Sequence, residues 1–303
     1  MIRRALVPLI GICAALGVGI ALGGGPLSDR GDASTTASAG ARRADAVLVA
    51  QAKAGDKLAA ATAPTLYAGK LAHQQVAIVA MPGAPAAVIE ALAGQVTAAG
   101  GVVASTTQVT RSAIDPDSKA MVDTLGSQLA GQTHGLVDAV QPTYVRFGQL
   151  VGSSIATTTT AGAPSADQAT ALATLAESKL MALNGTQTGA QAGTRASVQS
   201  TAPLVLLVLG DHVDPTILAG LVQGAATRAH GVVVSGSTGS GLRGDLKRLR
   251  AVNLGAQAKA VATVDGDERN SGQVATILAL VHQIAGGGGA YGASGIDGVA
   301  PLS

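Results

Sequence analysis

The residues best placed to do chemistry lie in the C-terminal third of the chain. Gly239-Ser240-Gly241-Leu242-Arg243-Gly244 is a G-x-G-x-x-G run after a strand-like segment. Asp265 follows about 20 residues on, as the acid of a dinucleotide fingerprint does. In such a site the glycines give a tight turn, a helix start receives the pyrophosphate and the acid takes the ribose. Three features oppose that reading: Gly236-Ser237-Thr238 separates the run from the strand end, the next helix is short, and it begins with Asp245. A chain with 41 glycines also produces this spacing easily. The expectation is therefore no cofactor.

Asp211-His212-Val213-Asp214 is the only local cluster of hard or borderline metal ligands. It sits at the carboxyl end of a strand-like run, where open α/β sheets bind ligands. Asp211, His212 and Asp214 are thus the candidate metal residues. The alternative makes Asp214 an N-cap and leaves Asp211-His212 as a solvated loop. The five histidines show no i,i+3 or i,i+4 pair, and the four methionines form no thioether ladder. His230 is placed to close a helix at its C-terminus, where positive charge is favourable. No G-x-S-x-G elbow is present, and Asp265, Asp267 and Glu268 read as a solvated acidic turn, so no catalytic residue is assigned and no enzyme is expected.

The elements that must position these residues follow a repeated order. Val76 to Ala80 reads as a strand, Pro85 opens a helix to about Ala99, Gly100-Gly101 ends it, and Val102 to Val109 is a second strand. Later, Leu204 to Leu209 is a strand, Asp214-Pro215 opens a helix, His230-Gly231 closes it, and Val232 to Ser235 follows as a strand. Pro85 precedes Val102 by as many residues as Pro215 precedes Val232. Shared register over strand, helix start and helix stop indicates duplication of a β-α-β unit, with right-handed crossovers and parallel strands. Asp115 to Gly148 and Ser165 to Ala182 read as helices between the units. Asp245 to Val252, Ala258 to Val264 and Ser271 to Ala285 read as helix, strand and helix, and Gly286 to Gly298 as a flexible glycine-rich tail.

Before the units, Arg3-Arg4 leads into Ala5 to Gly25, an uncharged apolar run. At about 1.5 Å per residue it is long enough to span a bilayer core of roughly 30 Å. The arginines before it and Asp29 after it place the bulk of the chain outside the cytoplasm. Cleavage as a signal peptide is the rival reading; the run exceeds a typical signal core. Cys13 lies within it as a small apolar residue, and Gly19 and Gly23 stand at the interval that lets helices approach closely. Asp32 to Gly40 reads as a flexible linker, and Ala41 to Ala61 as a helix stopped by Pro64. The expected organisation is a cytoplasmic tip (1–4), an anchor (5–25), a stalk (26–72), a first α/β unit with a helical insert (73–200), and a second unit with its tail (201–303). The fold class is α/β: an N-terminal transmembrane helix plus a duplicated, Rossmann-like β-α-β domain outside the cytoplasm. A net charge of +2 with both signs scattered leaves no nucleic-acid footprint.

The order of these features resembles the copper transport outer-membrane protein family of actinobacteria. The resemblance rests on the anchor ending in LGGG, on VAIVAMPGA and AAGGVVASTTQVT, and on VATVDGDERNSGQVATILAL followed by GGGGAYGASG. It implies a pore-forming envelope protein that removes copper, with copper ions as the transported species; lipid around the N-terminal helix follows from the apolar run itself. It supplies no ligand residues. The stalk is shorter and richer in alanine than the charged coiled coil usual in that family. One chain cannot form a transmembrane barrel, because four aromatic residues make no girdle; a pore would need a homo-oligomer. The alternative is an anchored binding or scaffold module without transport.

Overall fold

The computed structural model describes residues 33–133, 135–183, 200–210 and 212–302. The anchor run 5–25 with Cys13, Gly19 and Gly23, and the positions His134 and Asp211, lie outside the described residues. Among the described residues no helix is long and apolar enough to cross a membrane. The first helix is α1 (Ala33–Tyr67), whose residues from Lys53 on belong to the compact unit that runs to the end of the chain.

Within 53–303 the order begins β1 (Gln75–Ala80), α2 (Ala86–Ala98) and β2 (Val102–Val109). Helices α3 (Arg111–Ile114), α4 (Lys119–Gln132), α5 (Thr143–Ile155) and α6 (Ala166–Glu177) follow, then the short strand β3 (Met181–Leu183). The second half runs β4 (Leu204–Val208), α7 (Pro215–Ala226), β5 (Gly231–Gly236), α8 (Thr238–Arg243), α9 (Asp245–Arg250), β6 (Val261–Asp265), α10 (Asn270–Ile284) and β7 (Gly289–Tyr291). All seven strands form one sheet in the order β3-β2-β1-β4-β5-β6-β7. Every pairing is parallel except β2 with β3. The two β-α-β units therefore stand side by side, with β1 against β4 in register Val76↔Leu204 to Ala80↔Val208.

Both faces of the sheet are covered, which is why its strands read as unbroken apolar runs. Val76, Ile78, Leu204, Leu206, Val208, Val233 and Val264 meet α2 and α10 on one face. Ala77, Val79, Val205, Leu207, Val232 and Val234 meet α5 and α7 on the other. The β1-α2-β2 and β4-α7-β5 crossovers run toward opposite edges with helices on opposite faces, so they share one hand. The β6-α10-β7 crossover runs the way of β4-α7-β5 with its helix on the α2 face, and so has the other hand.

Helix α5 is buried along its whole length. It lies against α7 with glycine facing backbone. A Cβ on Gly148 would sit 2.3 Å from the Leu221 carbonyl oxygen, and one on Gly224 would sit 2.1 Å from that of Val145. Gly148/Gly152 and Gly220/Gly224 each keep the small-x-x-x-small interval that lets helix backbones touch. Nothing in the hydrophobic periodicity announces this contact, because glycine registers as neither apolar nor polar.

Three expectations need correction. The segment from Asp32 to Gly40, read as a flexible linker, is helical from Ala33 onward as the start of α1, in keeping with the high helix propensity of its alanines. Pro64 does not stop α1, which continues to Tyr67; Ala63, Tyr67 and Leu71 are core residues rather than stalk. A proline costs a helix most where it removes an interior hydrogen bond. Here burial of the final turn, with Tyr67 hydrogen-bonded to Gln95, holds the helix beyond it. The glycine-rich tail is ordered too: Ala262, Thr263 and Val264 pair with Gly289, Ala290 and Tyr291, and Tyr291 is buried.

Candidate functional site

In a sheet of this order, ligands bind where neighbouring strands depart in opposite directions, here between the carboxyl ends of β1 and β4. That crevice is occupied by the chain itself. A Cβ on Gly210, just past β4, would lie 1.9 Å from the Pro82 carbonyl oxygen and 2.6 Å from the Ala84 nitrogen in the turn after β1. The open space is displaced one strand along, to the ends of β4 and β5. There a cavity of about 280 Å³ is lined by Gly210, His212, Ser237, Gly239, Ser240, Arg243, Gly244 and Asp245. It brings together the two sequence candidates: His212 from the Asp-His-Val-Asp cluster and the glycine-rich run 239–244.

The glycine run does not form a phosphate loop. Residues 238–243 are helix α8, capped by Ser237, whose Oγ accepts the Ser240 N–H at 3.1 Å. Gly241 is needed for packing: its Cβ would come within 2.6 Å of the Asp265 side chain. Asp265 is buried and cannot reach a ribose. Its carboxylate accepts hydrogen bonds from Arg250 Nη2 at 2.9 Å and from the Ser294 N–H and hydroxyl at 3.1 and 3.0 Å. The acid of the apparent fingerprint instead ties the ordered tail to the sheet.

Asp214 caps α7, accepting from the Thr216 and Ile217 N–H groups at 2.8 and 3.2 Å. His212 is exposed and has a left-handed backbone (φ 62°), a region histidine enters more readily than most residues. Asp245 is buried and engaged: it accepts the Val213 N–H at 2.9 Å and pairs with Arg248. Among the described residues no group of three or more His, Cys, Asp or Glu side chains is placed to hold a metal ion.

Contrary to the sequence reading, two of the three acids in the turn after β6 are not solvated; only Glu268 is exposed. Asp265 and Asp267 are both buried. Burial pushes the Asp267 carboxyl up to about 6, and the negative charges of Glu268 and Asp265 add to it; the Ser235 hydroxyl, donating at 2.8 Å, opposes the rise. Glu268 accepts the Thr238 N–H at 3.0 Å and so fixes the first residue of α8. Gly266 turns the chain here at φ 98°, which glycine tolerates. Arg269, next after Glu268, reaches back to Asp56 on α1. Charge density read from sequence suggested solvation; the donors that make burial of Asp265 and Asp267 tolerable, Ser235, Arg250 and Ser294, are too distant in sequence to be seen with it.

No curated protein matches the chain. The family described as "Copper transport outer membrane protein, MctB" matches residues 1–301, from the apolar leader to the ordered tail. The chain belongs to the MctB copper transport outer membrane protein family.

Proposed function

We propose that the chain acts in copper efflux from the cell envelope. Ala5–Gly25 is its single uncleaved anchor, the α/β body lies outside the cytoplasm, and conduction belongs to a homo-oligomer without catalytic chemistry. The observation that carries this reading is a family match that runs almost end to end. A domain-sized match would leave the anchor out; this one includes both leader and body. Composition adds the oligomer, because four aromatic residues cannot girdle a barrel made by one chain. Cells lacking the gene should hold more copper and grow less well in added copper, and the full chain should restore both. A chain without residues 1–25 should not. Unchanged copper content and growth in the deleted cells would end the proposal.

A binding or scaffold module is the second reading. It is favoured by the body's closed packing: the sheet is covered on both faces, and its switch-point crevice is filled by Pro82 to Ala84. On that reading cross-linking captures one stable envelope partner and copper content does not respond to deletion.

A further inference from the structure

The cavity at the ends of β4 and β5 has an uneven polarity that its packing role does not require. Among the described residues its single carboxylate, Asp245, is buried, holds the Val213 N–H and pairs with Arg248. Among the described residues, Arg243 and His212 on the cavity wall have neither hydrogen bond nor ion pair. Ser237 and Ser240 each accept one backbone N–H, from Ser240 and Leu246, which leaves their own hydroxyl protons to donate into the space. The start of α8 is not the source of this character. Its Thr238 and Ser240 N–H groups are already taken by Glu268 and Ser237.

Among the described residues, the uncommitted side chains lining the space are thus an arginine, a histidine and two hydroxyl donors. Exposed Arg248 pairs with the lining Asp245 from α9. A guanidinium with hydroxyl donors nearby matches the charge and fork geometry of a tetrahedral oxyanion. We infer that this cavity binds a small phosphate-type oxyanion, held by Arg243, His212 and the Ser237 and Ser240 hydroxyls. The space is near the lower limit of small-molecule sites and suits one phosphoryl group with a short substituent rather than a dinucleotide. Free phosphate and the glycerol phosphate of a lipid headgroup share this chemistry.

The test uses the full chain in neutral detergent micelles, titrated calorimetrically with inorganic phosphate and separately with glycerophosphoglycerol, a headgroup diester. Hydrogen exchange of Ser237 to Gly244 is followed in the same samples. Both probes should slow that exchange if the site accepts any oxyanion; the diester alone should do so if it accepts a headgroup. Replacing the charge-assisted contact, Arg243→Gln should weaken binding about tenfold or more. His212→Asn, chosen because asparagine tolerates the same left-handed backbone, should weaken it by about threefold. Lys247→Gln, outside the cavity, should change it less than about twofold at fixed salt. Arg243 is exposed, so its loss leaves the fold intact, and an unaltered melting midpoint checks this. No heat and no protection at about 10 mM of either probe, well above a millimolar Kd, would overturn the inference. Binding that Arg243→Gln and His212→Asn both leave unchanged would overturn it equally. None of these readouts involves copper, so the result stands apart from the efflux proposal.

Discussion

Arg269 donates its Nε–H to Asp56 Oδ2 at 2.9 Å, joining the turn after β6 to α1 across 213 residues of chain. Ser271 adds a hydrogen bond to the other carboxylate oxygen at 3.1 Å. The same turn carries Glu268, which fixes the start of α8 at the cavity wall. The last turns of α1 are therefore connected by short polar contacts to the rim of the cavity, although they touch no part of it.

Burial raises the Asp56 carboxyl, but the hydrogen bonds from Arg269 and Ser271 outweigh it and hold the group below its ordinary value. A lowered carboxyl adds stability that is present above the unfolded value of 3.8 and is lost as pH falls below it. The pair is partly exposed, so Asp56→Asn should cost only about 1 kcal/mol near neutral pH. Hydrogen exchange of residues 53–67 should rise in that variant, and exchange at 238–243 should follow if the contacts act as a unit. Faster exchange in α1 with none in α8 would show that the connection is passive.

The buried carboxyl of Asp267 works in the opposite sense. Its folded-state value of about 6 exceeds the ordinary 3.8, so the folded chain holds this proton more tightly than the unfolded one. Its contribution is full below about 4, declines as pH rises through 6 and levels off above that. The difference of roughly two units corresponds to about 3 kcal/mol at neutral pH. Asp267→Asn keeps an acceptor for the Ser235 hydroxyl and removes the charge. Urea midpoints at pH 4.5 and 7.5 should differ less in the variant, which should be the more stable protein at pH 7.5. A variant weaker than the parent at both values would mean that the ionised carboxylate is needed in place.

The contrast between these two acids marks what the sequence could convey. Asp214 as a helix cap, Pro85 and Pro215 as helix starts and the paired β-α-β units follow from local signals, and each lies where periodicity placed it. Asp265 and Asp267 look solvated from their neighbours alone. Their burial depends on Ser235, Arg250 and Ser294, which come from a different strand, helix and loop. The tail misleads for the same reason. Glycine usually signals freedom, yet Gly292 faces the Asp265 backbone and carboxylate so closely that any Cβ would lie within 2.7 Å of three of its atoms. The glycine run 239–244 was legible as a position and not as a purpose.

Glycine substitutions separate these purposes. Gly94 lies in α2, exposed, with nothing near where a Cβ would go. Gly94→Ala should stabilise the chain by up to about 1 kcal/mol through helix propensity and the unfolded-state entropy removed. Gly224→Ala meets the Val145 carbonyl oxygen and the Gln149 nitrogen at 2.1 and 2.6 Å, both backbone, so α5 and α7 must separate. That should cost about 1–3 kcal/mol or more. Thermal midpoints moving in opposite directions for the two variants would establish glycine-mediated contact as a determinant of the core; equal shifts would refute it.

Arg250 gives the sharpest test of the ordered tail. Its guanidinium reaches the Thr263 hydroxyl at 3.0 Å, Asp265 at 2.9 Å, the Ser294 hydroxyl at 2.9 Å and the Tyr291 carbonyl at 2.6 Å. One side chain thus spans β6, β7 and the loop beyond. Arg250→Leu would strand Asp265 as a buried carboxylate facing only Ser294, and breaking such a pair costs about 3–5 kcal/mol. The double variant Arg250→Leu/Asp265→Leu removes both charges and should recover part of that loss, since an apolar replacement of a buried pair is often neutral. Exchange of residues 289–298 should become fast in the single variant, while that of β1 and β4 changes only as far as global stability falls. If the tail stays protected when Arg250 is gone, then β7 pairing and Tyr291 burial hold it without the ion pair, and Arg250 is only one anchor among several.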